Sequence, residues 1–157
     1  YISRTNISSV FETNSGIGLN DMRYRSNYGF IHTSANLFLC RKYLGASGMY
    51  GEKIPLIRLA EMYYILAESV ALSECGQYIN AVKNARGISR AYDVGTGVTE
   101  EQRLEELNKE YQKEFFAEGQ YFYFLKRHNM KTFYRCPVEN FSAYVLPVPD
   151  DEKDEDE

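Results

Sequence analysis

The stretch of sequence that decides the fold is residues 113–129, KEFFAEGQYFYFLKRHN. It holds six aromatic residues, and the four at positions 121–124 are consecutive. Successive residues of an α-helix are rotated by about 100°, so four consecutive rings surround the helix and no single buried face hides them all. A helix that is apolar on every side is normally enclosed by other protein. We therefore expect these rings to lie in a helical core, with a ligand-stacking platform or a partner surface as the alternatives.

A long helix is predicted to carry these rings. Thr99 is followed three residues later by Gln102, which is the spacing of a capping box at a helix start. Apolar residues then recur at helical spacing as far as Leu125. The pattern predicts one continuous helix from Thr99 to this point, spanning about 40 Å.

A helical hairpin is predicted upstream, over residues 55–87. Pro55 is suited to the first position of a helix, and apolar residues recur from there at steps of three and four. The sequence predicts that this helix ends near Cys75 and Gly76 and that a second helix runs over residues 77–85. The two helices form an antiparallel pair.

The two ends of the chain lack helical periodicity. Residues 1–54 are rich in Ser, Asn, Gly and Tyr, and we expect loops there with one short strand near ANLFLCRKY, residues 35–43. The acidic residues 150–157 are expected to be a disordered tail. The predicted fold class is mainly α, with a loop-rich N-terminal segment and one domain over residues 1–149.

Composition excludes several classes of function. The chain has 18 Lys and Arg and 22 Asp and Glu. Residues 150–157 contain seven acids and one Lys, so the remainder carries 17 basic and 15 acidic residues. That balance provides no strongly basic surface, and no nucleic-acid-binding motif is present, so a nucleic-acid partner is disfavoured. No apolar run reaches the length of about 18 residues that a membrane span needs.

The cysteines do not indicate a metal site or a disulfide framework. Cys40, Cys75 and Cys136 are too widely spaced for a CxxC motif. We expect buried thiols, with one disulfide as the alternative. The sequence does not fix their redox state.

Three glutamates mark one face of the long helix. Glu110, Glu114 and Glu118 are four residues apart, which suits either a buried ion-pair network or a metal or acid–base site. The Glu-x-x-His spacing of helical di-iron sites is missing, and no nucleophile, phosphate-binding or zinc motif occurs. We therefore predict no catalytic residue, metal or cofactor, and an ion-pair network that joins the hairpin to the long helix. Its predicted members are Arg58, Glu61, Glu68, Arg86, Glu110, Glu114, Glu118 and Arg127, with Lys126 as an alternative to Arg127.

The sequence resembles the C-terminal part of the SusD/RagB family. Four blocks occur in the family's order, namely IPLIRLAEMYYILAES (54–69), NAVKNARGIS (80–89), EYQKEFFAEGQYFYFLKRHN (110–129) and YVLPVPDDE (144–152). The matching positions are Arg58, Glu61, Ala67, Glu68, Glu110, Glu114, Glu118, Gly119, Leu125, Lys126, Arg127, Pro147 and Pro149. Asp21-Met22-Arg23 and Lys42-Tyr43 are similar to weaker upstream D-x-R and K-Y positions of the family.

This chain also departs from the family pattern. Many members have Arg at the positions of Tyr111 and Tyr121 and Asp at that of Phe124, so charges are exchanged here for rings. The resemblance implies a tetratricopeptide-like hairpin over residues 55–87. It also implies that the rings of residues 121–124 face helices from a part of the protein outside this chain.

The resemblance implies a role in nutrient uptake. Family members are cell-surface lipoproteins of the outer membrane that bind glycans, or in some cases peptides, for a TonB-dependent transporter of the SusC type. We accordingly expect a non-enzymatic oligosaccharide-binding protein, whose lipid anchor lies outside this chain. The alternatives are an oligopeptide-binding protein and a helical scaffold that binds a partner but no small ligand.

The expected ligand site is the ring-rich segment DMRYRSNYGF, residues 21–30. The family's glycan sites are usually shallow surfaces of loops that carry aromatic residues, in which rings stack on sugars and polar side chains bond hydroxyls. The predicted ligand contacts are Arg23, Tyr24, Asn27 and Tyr28. The alternative is that these rings anchor a loop on the core.

Overall fold

The computed structural model of the chain describes residues 2–25, 29–34, 37–42, 55–131, 133 and 144–145. The fold is mainly α, as predicted. The helices are α1 (Arg4–Val10), α2 (Leu59–Ser69), α3 (Leu72–Ala85), α4 (Glu100–Glu114) and α5 (Gln120–Arg127). The strands are β1 (Ile2–Ser3), β2 (Phe30–Ser34) and β3 (Leu37–Cys40). The calls on Asn27, Tyr28, Tyr43, Cys136, Pro147, Pro149 and the tail 150–157 lie outside the described residues.

The N-terminal region contains more regular structure than its sequence predicts. The strand expected within residues 35–43 is present as β3, which pairs antiparallel with β1 on one side and β2 on the other. Helix α1 is an element that the sequence analysis does not predict. Its N-cap is Ser3, whose hydroxyl accepts a hydrogen bond from the backbone amide of Asn6. The helix and the sheet bury a small core of their own, made of Ile7, Val10, Phe11, Phe30 and Phe38.

The hairpin of α2 and α3 forms, but its predicted boundaries are wrong. The turn lies at Val70 and Ala71, and both Cys75 and Gly76 are buried inside α3. A Cβ on Gly76 would lie 2.5 Å from the carbonyl oxygen of Val94, so this glycine permits close approach of another segment. Pro55 does not begin the helix either, because α2 starts at Leu59.

The capping box of Thr99 and Gln102 is confirmed at the start of α4. The prediction of one continuous helix beyond it is wrong, because α4 ends at Glu114 and α5 begins only at Gln120. Ala117 and Gly119 adopt left-handed backbone angles, with φ of 63° and 88°. The break lets α5 fold back on α4, so that the rings of Tyr111 and Phe124 stack with centroids 4.4 Å apart.

The four consecutive rings of α5 have different environments. Phe124 is buried, and Tyr121 is half-buried with its hydroxyl donating to Asn108 at 2.9 Å. Phe122 is 38% exposed and Tyr123 is 68% exposed. Phe122 and Tyr123 are therefore open to solvent within the described residues, because after the break only one face of α5 meets α4. The expectation that further helices enclose them stays a prediction.

The main core lies between α2, α3, α4 and α5. Its largest fully buried members include Tyr64, Ile79, Leu107, Phe115 and Phe124. Cys75 lies in this core and Cys40 is half-buried in β3, and both are free thiols. No helix among the described residues has the length and apolarity that crossing a membrane requires.

The helix break predicts a specific cost for replacing Gly119. The residue has φ of +88°, and no atom lies within 4 Å of a Cβ built there. Gly119→Ala should therefore lower the free energy of unfolding by about 1 kcal/mol through backbone strain alone. Chemical denaturation followed by circular dichroism measures this change.

Gly97→Ala is the matched control. Its Cβ would also meet nothing within 4 Å, and its φ lies outside the left-handed region. The control should change stability by less than about 0.5 kcal/mol. Equal effects of the two substitutions would contradict the role given to Gly119.

Candidate functional site

The segment that begins at Asp21 is held by a buried carboxylate–guanidinium pair. Arg23 Nε lies 3.0 Å from Asp21 Oδ1, and Nη2 lies 2.7 Å from Oδ2. The backbone amide of Arg23 also donates to Oδ1, at 2.9 Å. Such a two-pronged pair fixes orientation as well as distance, because both planar groups must align. The i, i+2 spacing thus closes a rigid local unit.

The same guanidinium also contacts helix α4, which is distant in sequence. Arg23 Nη1 lies 2.9 Å from Glu110 and 3.2 Å from Glu114, and its side chain is only 7% exposed. Tyr64 of α2 donates its hydroxyl to Glu110 at 3.2 Å. Arg23 therefore joins the N-terminal segment to the centre of the helical core.

Glu114 also forms ion pairs with two arginines that flank the helical hairpin. Arg58, which precedes α2, lies 3.1 Å from it, and Arg86, which follows α3, lies 2.6 Å from it. Arg58 also contacts Glu118 at 2.8 Å, and Lys42 bonds to the same carboxylate. Glu114 at the end of α4 and Glu118 after it thus bind three segments that are far apart in sequence.

We call this assembly the central ion-pair cluster. Its members are Glu12, Asp21, Arg23, Lys42, Arg58, Arg86, Glu110, Lys113, Glu114 and Glu118. Five are acidic and five are basic, so the formal charges balance. Each carboxylate faces at least one guanidinium or ammonium group, which is the arrangement of a structural network. Among the described residues, no group of three or more His, Cys, Asp or Glu side chains is arranged to hold a metal ion.

Electrostatics lower the pKa values of Glu110 and Glu114. Burial raises the pKa of Glu110, but Arg23 and Lys113 outweigh it and lower the pKa to about 2. The pKa of Glu114 is also lowered, since bonds from Arg86 and the charge of Arg23 exceed its desolvation. A general acid or base works best with a pKa near the working pH, and neither carboxylate has one.

The other members of the predicted network lie apart from this cluster. Arg127 on α5 pairs with Glu68 on α2 at 2.7 Å, and His128 lies 3.4 Å from the same carboxylate. Glu61 lies in the first turn of α2 and makes no ion pair with the residues that the structure describes. The Arg127 pair therefore links α2 to α5, whereas the central cluster links α2 and α3 to α4.

The predicted ligand contacts fall in different places. Arg23 lies inside the central cluster, as described above. Tyr24 is half-buried, and its ring lies 5.8 Å from that of Phe11 and 6.2 Å from that of Phe38. Asn27 and Tyr28 lie outside the described residues. No observation tests these four contacts, and they stay predictions.

Backbone hydrogen bonds fix the segment that begins at Asp21 near each of its two ends. The amide of Met22 donates to the carbonyl of Arg86 at 2.8 Å, and the amide of Arg41 donates to the carbonyl of Gly29 at the same distance. A Cβ on Gly29 would lie 1.7 Å from the carbonyl oxygen of Arg23, so only glycine fits this close approach. The segment thus leaves and rejoins the body at two fixed points.

Sequence reasoning missed several members of the cluster. Asp21 and Lys42 were noted only as similar to family positions, and Lys113 and Glu12 were not singled out. The available signal was spacing, because Lys113 lies three residues after Glu110 and Asp21 lies two residues before Arg23. Spacing indicates that a pair is reachable, but it does not reveal which distant partner completes it.

Comparison with known proteins gives one clear result. The family model of the SusD family matches residues 10–156, which is nearly the whole chain. No curated protein and no solved structure matches the chain.

The cluster predicts a large stability loss when Glu114 is neutralised. Glu114→Gln leaves the buried Arg23 and the half-buried Arg58 and Arg86 beside an uncharged amide. The free energy of unfolding should fall by about 3 kcal/mol, because one side of a buried pair is left uncompensated. Urea denaturation at neutral pH measures the loss.

Glu105→Gln on the same helix is the matched control. Its side chain is 63% exposed and pairs with Lys109 at the surface. That substitution should change stability by less than about 0.5 kcal/mol. A loss below about 1 kcal/mol for Glu114→Gln would contradict a structural role for the cluster.

The lowered pKa of Glu110 predicts acid sensitivity. The group is ionised in the folded protein down to about pH 2 but has an ordinary pKa of 4.5 when unfolded. Its contribution to stability is therefore complete above pH 4.5 and is lost as pH falls towards 2. The free energy of unfolding should fall over this window by about 3 kcal/mol more in the wild type than in Glu110→Gln. Equal slopes in urea titrations from pH 6 to 2 would refute the assignment.

Proposed function

Since this chain belongs to the SusD family, we propose that it captures an oligosaccharide at the outer-membrane surface and delivers it to a SusC-like, TonB-dependent transporter. Members of this family are nutrient-binding proteins of the outer membrane that are associated with such transporters. They are binding proteins without enzymatic activity. The observation that carries the proposal is the family match over residues 10–156.

The geometry supports a binding role more than a chemical one. Glu110 and Glu114 of α4 are buried and paired with basic residues, so they act as a scaffold. The central ion-pair cluster holds Arg23 on this scaffold, and backbone hydrogen bonds hold Met22 and Gly29, near the two ends of the predicted ligand segment. Binding residues are often found on loops that a rigid body positions.

Within this segment we propose distinct roles for the predicted contacts. Tyr24, Asn27 and Tyr28 would contact the ligand, with rings against the apolar faces of sugars and the amide bonding to hydroxyls. Arg23 would act by positioning, because its guanidinium is turned inward onto Asp21, Glu110 and Glu114. An oligopeptide is the alternative ligand.

Localisation follows from the same proposal. The protein would be held at the cell surface by a lipid anchor. Its transport partner would recognise the folded body while the ligand is bound.

A second candidate function is protein interaction through the helical hairpin, and one observation favours it. The outward face of α2 and the residues before it expose a row of large apolar side chains. These are Leu56, Ile57, Leu59, Met62, Ile65 and Leu66. Exposed apolar rows of this kind are typical of protein–protein contacts.

A binding experiment tests the proposal. The full-length protein is titrated by calorimetry with cellohexaose, xylohexaose, maltohexaose and mannohexaose, and with a hexapeptide. We expect at least one oligosaccharide to bind, and Tyr28→Ala to weaken that binding by about tenfold through loss of ring stacking. Tyr123→Ala is the control, because this ring lies on α5, and it should leave affinity unchanged.

The outcomes separate the alternatives. Binding of the hexapeptide alone would favour the oligopeptide ligand. Co-purification with the transporter in the absence of any ligand would favour the scaffold function. An intact protein that binds none of the probes would refute the proposed nutrient-binding role.

A further inference from the structure

A cleft of about 390 Å³ opens between three parts of the chain. They are the connector that joins α3 to α4, the first half of α4, and the residues that follow α1. The side chains that matter here are Lys83, Tyr92, Asp93, Gln102, Glu105 and Glu106. Ile17, Val94 and Val98 add apolar lining. This volume and mixed lining are typical of a site for a small ligand or one unit of a larger ligand.

The connector is held rigidly by one face of α3. The side chain of Asn80 makes two hydrogen bonds to the backbone of Val94. Its Nδ2 donates to the Val94 carbonyl at 2.9 Å, and its Oδ1 accepts from the Val94 amide at 2.8 Å. Asn84 donates to the carboxylate of Asp93 at 3.2 Å. Residues 80 and 84 lie one turn apart, so a single helix face fixes this stretch of backbone. The cleft is therefore formed before any ligand arrives.

A buried ammonium group lies in the wall of the cleft. Lys83 is only 4% exposed, and its Nζ donates to the carbonyl oxygen of Tyr92 at 2.7 Å and to Glu106 at 3.1 Å. An ammonium group has three donors, and the described residues provide these two acceptors. A ligand hydroxyl at the wall of the cleft would accept from the third donor.

An aromatic ring forms another wall. Tyr92 is 39% exposed, and its hydroxyl lies near Gly16, where a Cβ would come within 3.5 Å of it. The ring is thus held between the connector and the N-terminal segment with part of its surface open. An open ring beside carboxylates and an amide suits a pyranose, which has apolar faces and a rim of hydroxyls.

We propose that this cleft binds one pyranose unit of a neutral oligosaccharide, with Tyr92 stacking on the sugar and Asp93 and Lys83 bonding to its hydroxyls. The proposal rests on the oligosaccharide-binding function proposed above and adds a site separate from residues 21–30.

Charge selects the class of sugar. Carboxylates from Glu12, Asp93, Glu105 and Glu106 line the cleft. Lys113, Lys109 and Lys83 pair with Glu12, Glu105 and Glu106, so the charge of Asp93 is left over and disfavours a uronic acid. A cationic peptide is disfavoured as well, because Lys109 already pairs with three of these acids. Its Nζ lies 3.2 Å from Glu105, 3.2 Å from Glu106 and 3.6 Å from Glu12. A neutral ligand meets hydrogen-bonding groups without displacing these pairs.

Two substitutions test the cleft without dismantling it. Tyr92→Ala removes the ring but keeps the carbonyl that Lys83 binds, and it should weaken binding of the best neutral hexasaccharide by about tenfold. Asp93→Asn keeps an acceptor for Asn84, and it should weaken binding about threefold. Tyr92→Phe, which retains the ring, and Tyr123→Ala should both bind like the wild type. Calorimetry on the full-length protein measures all four.

Two further measurements complete the test. The neutral hexasaccharide should bind at least about tenfold more tightly than oligogalacturonate of the same length. Hydrogen exchange at the amides of residues 92–95 should slow when the neutral probe is added, and should not slow in Tyr92→Ala.

Each outcome has a definite reading. Wild-type affinity in Tyr92→Ala together with weakened binding in Tyr28→Ala would overturn the cleft and leave the proposed function standing. No binding of any neutral probe would overturn both. Tighter binding of oligogalacturonate or of hexalysine would overturn the assignment of a neutral sugar.

Discussion

The interaction on which the structure depends is the contact of the Arg23 guanidinium with Glu110 and Glu114. Removing one partner of a buried pair leaves an uncompensated charge, which is far more costly than the pair itself is stabilising. The N-terminal segment, the hairpin and α4 must therefore assemble together, because each contributes charges that the others neutralise. Apolar burial supplies the bulk of the stability, and the cluster selects which segments meet.

The part of this arrangement that is local could be predicted. The four-residue spacing places Glu110 and Glu114 on one face of α4, whereas Glu118 lies beyond the end of this helix. The capping box at Thr99 locates the start of α4 correctly. The distant cations could be proposed only as a set, since Arg58, Arg86 and Arg127 are equally able to reach an acid. In the structure, Arg58 and Arg86 pair with Glu114, whereas Arg127 pairs with Glu68.

Two of the errors in helix boundaries have one physical origin, because a glycine in a sequence does not reveal why it is there. Gly76 was interpreted as a helix end, yet it lies inside α3 to admit the carbonyl of Val94. The helical spacing places Gly119 inside one continuous helix, yet this residue is the left-handed N-cap of α5, after α4 has ended at Glu114. The break turns α5 so that Phe122 and Tyr123 lie on its exposed side.

Charge balance also decides where recognition can take place. The carboxylates of the central ion-pair cluster are occupied, and drawing one of them towards a ligand would expose a buried cation. Side chains outside the cluster have no such constraint: Asp93 faces an amide, and Tyr92 is partly open. Both lie on a backbone that α3 holds in place, so a ligand gains their contacts without ordering the connector. The ion-pair cluster thus fixes the fold, and the residues of the connector contact the ligand. Because the two sets of residues are separate, a binding protein of this kind would be able to change its ligand while keeping its fold.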